Sequence, residues 1–132
     1  MCPDTLMDEP FYKTTFFRRT ALIIYWTMIF TATHVPKIPS FVPEISNIDL
    51  LAHFLMYGGW AALCWWVLAD ERGRVSWGWI VSLMIVAAVY AAFDELTQDL
   101  VGRTPSIADF LANMCGAILV LLILQAWSRR KR

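Results

Sequence analysis

The sequence has little charge, and its charged residues are confined to short clusters. Only 17% of the 132 residues are charged, and 11 basic residues balance 11 acidic ones. The low charge argues against an ordinary soluble domain of this length. With 58% hydrophobic residues and seven tryptophans, the composition is typical of a protein embedded in a lipid bilayer. We predict membrane lipids as partners and no nucleic-acid partner.

Cysteines and metal-binding motifs are also scarce. The three cysteines, Cys2, Cys64 and Cys115, lack the paired spacing of a disulfide or a zinc site. No H-E-x-x-H motif is present, so we predict no metal and no cofactor. The chain also lacks long repeats, broken hydrophobic segments and inverted halves, which argues against an alternating-access transporter.

Four windows of the chain contain no Asp, Glu, Lys or Arg. At about 1.5 Å of rise per residue, helices of roughly 17–20 residues cross the ~30 Å hydrocarbon layer. We therefore predict an all-α fold, a four-transmembrane-helix bundle. An alternative for helix 1 is a cleaved signal peptide, whose removal leaves the other helices unchanged. The windows are 20–36, 50–69, 75–93 and 110–128.

Basic residues predict the orientation of the bundle. Arg18 and Arg19 precede helix 1, Arg72 and Arg74 lie between helices 2 and 3, and the segment 129–132 is entirely basic. By the positive-inside rule, both termini are cytoplasmic in a multi-pass protein of the cytoplasmic (inner) membrane. The predicted regions are a cytoplasmic segment at 1–19, a transmembrane domain at 20–128 and a basic cytoplasmic tail at 129–132. Tryptophans at the helix ends on the same side agree with this orientation; they are Trp65, Trp66, Trp77, Trp79 and Trp127.

Polar side chains gather at the predicted outer ends of helices 2, 3 and 4. On each helix they recur at a spacing that places them on one face. Because ionisable groups at membrane depth face the bundle interior or a watery cavity, we expect them to form a polar pocket open to the outer side. The candidate ligand-binding residues are Asp49, His53, Tyr57, Asp94, Glu95, Gln98, Arg103, Asp109 and Asn113.

Several of these residues also have structural interpretations. The spacing Ser46-x-x-Asp49 is typical of a helix cap, and so is Ser106-x-x-Asp109. His53 is alternatively a hydrogen-bonded packing residue. The side chains of Asn113 and Tyr57 are expected to form interhelical hydrogen bonds, while Asp99 is predicted to be solvated and His34 to be interfacial.

Asp94 and Glu95 are harder to explain as structural residues. Two adjacent carboxylates at a helix C-terminus repel each other and oppose the negative end of the helix dipole. They require a proton, a cation or a nearby arginine. Arg103 is expected at the pocket rim, where it either neutralises Glu95 or binds an anionic head group. The sequence leaves open which of the two carboxylates faces the pocket.

Three motifs occur together in the last two thirds of the chain: D-x-x-x-H-F-x-x-Y from Asp49, D-E-x-x-Q from Asp94, and G-R-x-x-S-x-x-D-x-x-x-N-x-x-G from Gly102. This combination, over residues 48–124, resembles the VanZ-like family of small bacterial membrane proteins. Two positions depart from the family pattern, because Leu50 replaces a frequent Lys and Val101 a frequent Pro. The resemblance implies a cell-envelope protein, and its namesake is associated with resistance to glycopeptide antibiotics of the teicoplanin type. It supplies no established catalytic residues.

Three functional hypotheses follow from the sequence. The favoured one is an envelope protein that binds a lipid-linked cell-wall intermediate or a glycolipid head group. The second is a membrane-embedded hydrolase or transferase, in which His53 is a general base oriented by Asp49, and Asp94 or Glu95 is an acid or a metal ligand. The third is a purely structural polar network. Whether the protein is an enzyme, and its oligomeric state, stay open.

Overall fold

Four α-helices form the part of the chain that the computed structural model describes, residues 14–35 and 46–130. Within these ranges there are no strands, which confirms the all-α prediction. Residues 36–45, between the first two predicted helices, and most of the predicted N-terminal segment lie outside the described residues. The elements are α1 (Thr15–Thr33), α2 (Ser46–Leu68), α3 (Trp77–Gln98) with a 3-10 turn (Asp99–Val101), and α4 (Ile107–Arg130).

Three of the helices are long and apolar enough to cross a membrane by length and composition: Ile48–Leu68, Trp77–Val101 and Ile107–Arg130. They correspond to the second, third and fourth predicted spans. The first predicted span is also helical, but α1 contains Arg18 and Arg19 near its start and is not among the three. Its transmembrane placement stays a prediction.

Local hydrogen bonds hold the turn between α2 and α3. Asp70 Oδ1 accepts hydrogen bonds from the backbone N–H groups of Arg72 and Arg74, at 2.9 and 2.8 Å. Gly73 occupies the left-handed region at φ 68°, which glycine adopts without strain. Ser76 then caps α3, because its Oγ accepts a hydrogen bond from the backbone N–H of Trp79. The turn is short, so α2 and α3 run in opposite directions.

The most extensive helix interface lies between α2 and α4, which both begin at the same end of the bundle. Gly116 allows this close approach, because a Cβ added there would overlap the backbone carbonyl oxygen of Phe54. Small residues are expected at such interfaces between membrane helices. We call the end at which α2 and α4 begin the Arg103 end, and the opposite end, with the α2–α3 turn, the Asp70 end.

Apolar side chains cover both the interior and the outer surface of the bundle. Tyr57, Trp60, Ile80 and Leu121 are among the fully buried core residues. Large apolar side chains such as those of Ile85, Val89 and Leu119 are exposed on the outer faces of the helices. In a soluble protein such exposure would promote aggregation, whereas a bilayer provides an apolar solvent for it.

Candidate functional site

Five of the predicted site residues come together at the Arg103 end. Their side chains are at most 6% exposed, although all of them are polar or ionisable. Asp49, Arg103 and Asp109 lie at the same end and are half-buried, and Tyr57 is buried one helical turn further in. The five residues, which we call the polar cluster, are His53 of α2, Asp94, Glu95 and Gln98 of α3, and Asn113 of α4.

Both adjacent carboxylates belong to the polar cluster, but they point towards different helices. Asp94 Oδ1 accepts a hydrogen bond from Thr33 Oγ1 at the end of α1, at 2.8 Å. Glu95 Oε2 accepts one from the backbone N–H of Ser106 at the start of α4, at 2.9 Å. Among the described residues, the other oxygen of each carboxylate is buried and has no hydrogen-bond partner. The structure therefore places both Asp94 and Glu95 inside.

Asn113 orients the imidazole of His53. Nδ1 of His53 lies 3.1 Å from Oδ1 of Asn113, and both side chains are buried. Because an amide oxygen only accepts hydrogen bonds, Nδ1 carries the proton and Nε2 keeps its lone pair. The interhelical hydrogen bond predicted for Asn113 is confirmed. The one predicted for Tyr57 is wrong, because its buried hydroxyl has no hydrogen-bond partner among the described residues and its ring instead stacks on that of Tyr90. Asp49, for which the sequence suggested the orienting role, also has a carboxylate oxygen within 4.8 Å of a ring nitrogen of His53. Its orienting role stays a prediction.

Arg103 lies in the loop between α3 and α4 and pairs with the first turn of α2. Gly102 turns the chain at φ 75°, and the backbone N–H of Arg103 then donates to the carbonyl of Gln98 at 3.1 Å. The Arg103 guanidinium is 3.7 Å from Asp49 Oδ2. Arg103 was expected either to neutralise Glu95 or to bind an anionic head group. The first expectation is wrong, because the acid that Arg103 contacts is Asp49. The guanidinium remains at the rim of the polar cluster.

The start of α4 explains one of the aspartates. Ser106 caps the helix, because its Oγ accepts a hydrogen bond from the backbone N–H of Asp109 at 3.2 Å. In a complete capping box, the Asp109 carboxylate would accept a bond from the Ser106 N–H. That N–H donates to Glu95 instead. The capping pattern therefore identifies the helix start correctly, but the acid that completes it comes from α3.

The end of α1 also contributes to the site, which the sequence patterns did not predict. Besides the bond from Thr33 to Asp94, His34 lies 2.9 Å from Thr97 Oγ1 through Nε2. Its Nδ1 is 3.7 Å from Asp94 Oδ1, so His34 is part of the site rather than only interfacial. The polar pair Thr33-His34 at the end of an apolar helix was the signal that could have found it. Asp99 is exposed, as predicted.

The site contains two groups of possible metal ligands. One ligand atom from each of His53, Asp94 and Glu95 lies within 4.8 Å of the other two, and all three residues are buried. Asp49, His53 and Asp109 meet the same distance criterion but are more exposed on average. Cys64 and Cys115 are free and belong to neither group. Sequence spacing alone did not predict these groups, because their members come from different helices.

The fold and site describe a small helical membrane protein with a buried histidine–carboxylate cluster at one end. A sequence profile of the VanZ/LLP1 family matches residues 6–128. The chain belongs to this family, as its motifs predicted, and the match also includes α1. No curated protein and no solved structure matches the chain.

Proposed function

We propose that the protein binds the head group of an anionic lipid-linked intermediate or glycolipid of the bacterial cell envelope, at the Arg103 end. One observation carries this proposal. The polar cluster contains four buried atoms that have no partner at hydrogen-bond distance and angle among the described residues: Asp94 Oδ2, Glu95 Oε1, Gln98 Nε2 and Asn113 Nδ2. The Gln98 amide is nevertheless near enough to Asp94 to interact with its carboxylate. Leaving such a group unpaired costs about 1–3 kcal/mol. A ligand with hydroxyl or amide groups can satisfy both these donors and these acceptors.

Arg103 supports the choice of an anionic head group. Its side chain is 10% exposed and lies 3.7 Å from Asp49 Oδ2, longer than a hydrogen bond. A phosphate can compete for this guanidinium, because arginine binds phosphate through two parallel hydrogen bonds. Head-group binding places the phosphate at the rim and the hydroxyl groups in the polar cluster. By the positive-inside rule, this end faces outwards from the cytoplasmic membrane.

Membership of the VanZ/LLP1 family supports the resistance role that the resemblance implies. A protein that binds cell-wall lipid intermediates on the outer side of the membrane acts where glycopeptide antibiotics act. We therefore propose that the chain contributes to resistance against antibiotics of the teicoplanin type.

A specific observation also favours a second function, a membrane-embedded hydrolase or transferase. With Nδ1 of His53 protonated and held by Asn113, Nε2 is available as a general base beside two carboxylates. In this alternative, Glu95 or Asp94 is the acid. The enzyme hypothesis requires chemical conversion of the bound lipid, which binding alone does not.

Lipid binding can be measured by native mass spectrometry of the detergent-solubilised protein with added undecaprenyl phosphate. We expect Arg103→Ala to weaken lipid retention by about tenfold or more, because it removes the charge that faces the phosphate. Arg72→Ala, in the exposed turn at the Asp70 end, is the matched control and should retain the lipid like the parent. Equal retention by Arg103→Ala would contradict the site assignment. A mass change in the lipid would support the enzyme alternative.

The resistance role can be tested by teicoplanin susceptibility in a sensitive Gram-positive host. We expect protection by the parent chain and by Glu71→Gln, whose exposed carboxylate lies at the Asp70 end. Glu95→Gln should abolish protection, since it removes a charge from the polar cluster. Membrane abundance is matched by immunoblot. Equal protection by Glu95→Gln would favour the structural network, and absence of protection by the parent would rule out the resistance role in that host.

A further inference from the structure

We propose that His53, Asp94 and Glu95 bind one divalent metal ion of the zinc type between α2 and α3. This inference goes beyond lipid binding and does not depend on it, although the two sites share Asp94 and Glu95. The ligand atoms of these three residues lie within 4.8 Å of one another. A zinc ion with bonds of about 2.1 Å holds its ligands roughly 3.4 Å apart, so small side-chain rotations suffice to close the site.

Each of the three side chains has one atom held by the protein and one atom available. His53 Nδ1 is bound to Asn113, which leaves the lone pair of Nε2. Asp94 Oδ1 is bound by Thr33, and Asp94 Oδ2 has no partner among the described residues. Glu95 Oε2 is bound by Ser106, and Oε1 has none there. Metal-binding side chains in proteins are oriented in this way, by hydrogen bonds to the atom that does not bind the ion.

The charge of the site also calls for a cation. Asp94 and Glu95 are adjacent, buried and close to the C-terminal end of α3, where the helix dipole is unfavourable for anions. Among the described residues, Arg103 pairs with Asp49, and the cation-forming group paired with Asp94 is His34, at 3.7 Å. A divalent ion would neutralise both carboxylates at once, and the unpaired oxygen of each carboxylate would bind it. The amides of Gln98 and Asn113 then remain for a head group.

The ligand set points to the kind of metal. One imidazole nitrogen and two carboxylate oxygens suit Zn²⁺ or a similar transition metal better than Ca²⁺ or Mg²⁺, which prefer oxygen ligands alone. Three protein ligands leave a coordination position for water or for a phosphate oxygen. The alternative group of Asp49, His53 and Asp109 shares His53, but Asp49 is already close to Arg103. We therefore assign the ion to Asp94 and Glu95.

The test is a titration of the chelator-treated full-length protein with Zn²⁺ in detergent, without added lipid, followed by competition with a chromophoric chelator. We expect one bound ion per chain. Asp94→Asn and Glu95→Gln should each weaken binding by at least about tenfold. Asp99→Asn, an exposed carboxylate at the same end, is the control and should bind like the parent. Absence of saturable binding by the parent would overturn the proposal, whatever the lipid experiments show.

Two further measurements keep the test decisive if a variant does not fold. Asp49→Asn and Asp109→Asn should leave the zinc affinity within about threefold of the parent, whereas a variant that loses a ligand should bind at least about tenfold more weakly. If only these two variants lose zinc binding, the ion belongs to the group of Asp49, His53 and Asp109. The X-ray absorption spectrum of the zinc-bound parent should show nitrogen and oxygen ligands at about 2.0–2.1 Å, including one imidazole. Sulfur scattering at about 2.3 Å would instead place the ion on a cysteine.

Discussion

At the Asp70 end, charged residues lie in an exposed turn, whereas at the Arg103 end they are buried between helices. The Asp70 carboxylate contacts the Arg74 guanidinium at 3.0 Å, four residues along the chain, and both side chains are more than 40% exposed. At the Arg103 end, Asp94 and His53 bind partners 61 and 60 residues away. The first arrangement needs only a local turn, and the second needs the assembled bundle.

The two ends also differ in how completely their acids are paired. Both oxygens of Asp70 accept hydrogen bonds from Arg72 or Arg74. At the Arg103 end, Asp94 and Glu95 each keep one buried oxygen without a partner among the described residues. A turn with a structural role needs only such local hydrogen bonds, which satisfy both carboxylate oxygens of Asp70. Incomplete pairing of buried carboxylates is unfavourable for stability, and this is the reason why we place the proposed function at the Arg103 end.

The largest stability effect is expected at the α2–α4 interface. Gly116→Ala places a methyl group against the Phe54 carbonyl, so the two helices must separate, and overpacking against backbone atoms is expected to cost about 3 kcal/mol or more. Gly78→Ala, in α3 at the Asp70 end, meets only ordinary contacts and should stabilise by up to about 1 kcal/mol through helix propensity. Thermal unfolding in detergent measures both. A stabilising Gly116→Ala would contradict the close approach.

A smaller effect on stability is expected when a buried amide side chain of α4 is replaced, and the size of this effect should differ between Asn113 and Gln125. Asn113→Leu leaves the buried N–H of His53 without its acceptor and is expected to lower the free energy of unfolding by about 1–3 kcal/mol. Gln125→Leu, near the Asp70 end, replaces a side chain whose Oε1 has no partner among the described residues. Its effect should stay below about 1 kcal/mol. Denaturant unfolding measures both variants. Equal losses of unfolding free energy would show that the Asn113 side chain is no more important for stability than that of Gln125.

The smallest effect is expected for the exposed ion pair. The backbone N–H of Arg74, together with its guanidinium and the Arg72 N–H, lowers the pKa of Asp70 below its ordinary value. The contribution to stability is therefore present above the unfolded-state pKa of about 4 and is lost as the pH falls through the lower folded-state pKa. Asp70→Asn should slightly lower the melting temperature at pH 7, and the difference should vanish in strong acid. A difference that grows in acid would contradict this assignment.

Much of the site could be predicted because helical periodicity places residues on faces. The spacing from Asp49 to His53 and from Asp109 to Asn113 indicated inward-facing stripes, and His53 and Asn113 do meet. The contact of Arg103 with Asp49 was not predicted, because it depends on how the α3–α4 loop packs against the first turn of α2. The capping bond of Ser106 was predictable, but its N–H donation to Glu95 depends on how the α3–α4 loop folds back.

The amino-acid sequence by itself determined the class of protein, the helical elements and the family. Long apolar stretches must form helices in a bilayer, because every backbone polar group needs an internal partner there. Only the tertiary structure decided which polar atoms are paired. The bond from Thr33 to Asp94, the orientation of His53 by Asn113, and the convergence of His53 with both carboxylates arise from side chains on different helices. Their distances depend on helix rotation and crossing, which periodicity within a single helix does not specify.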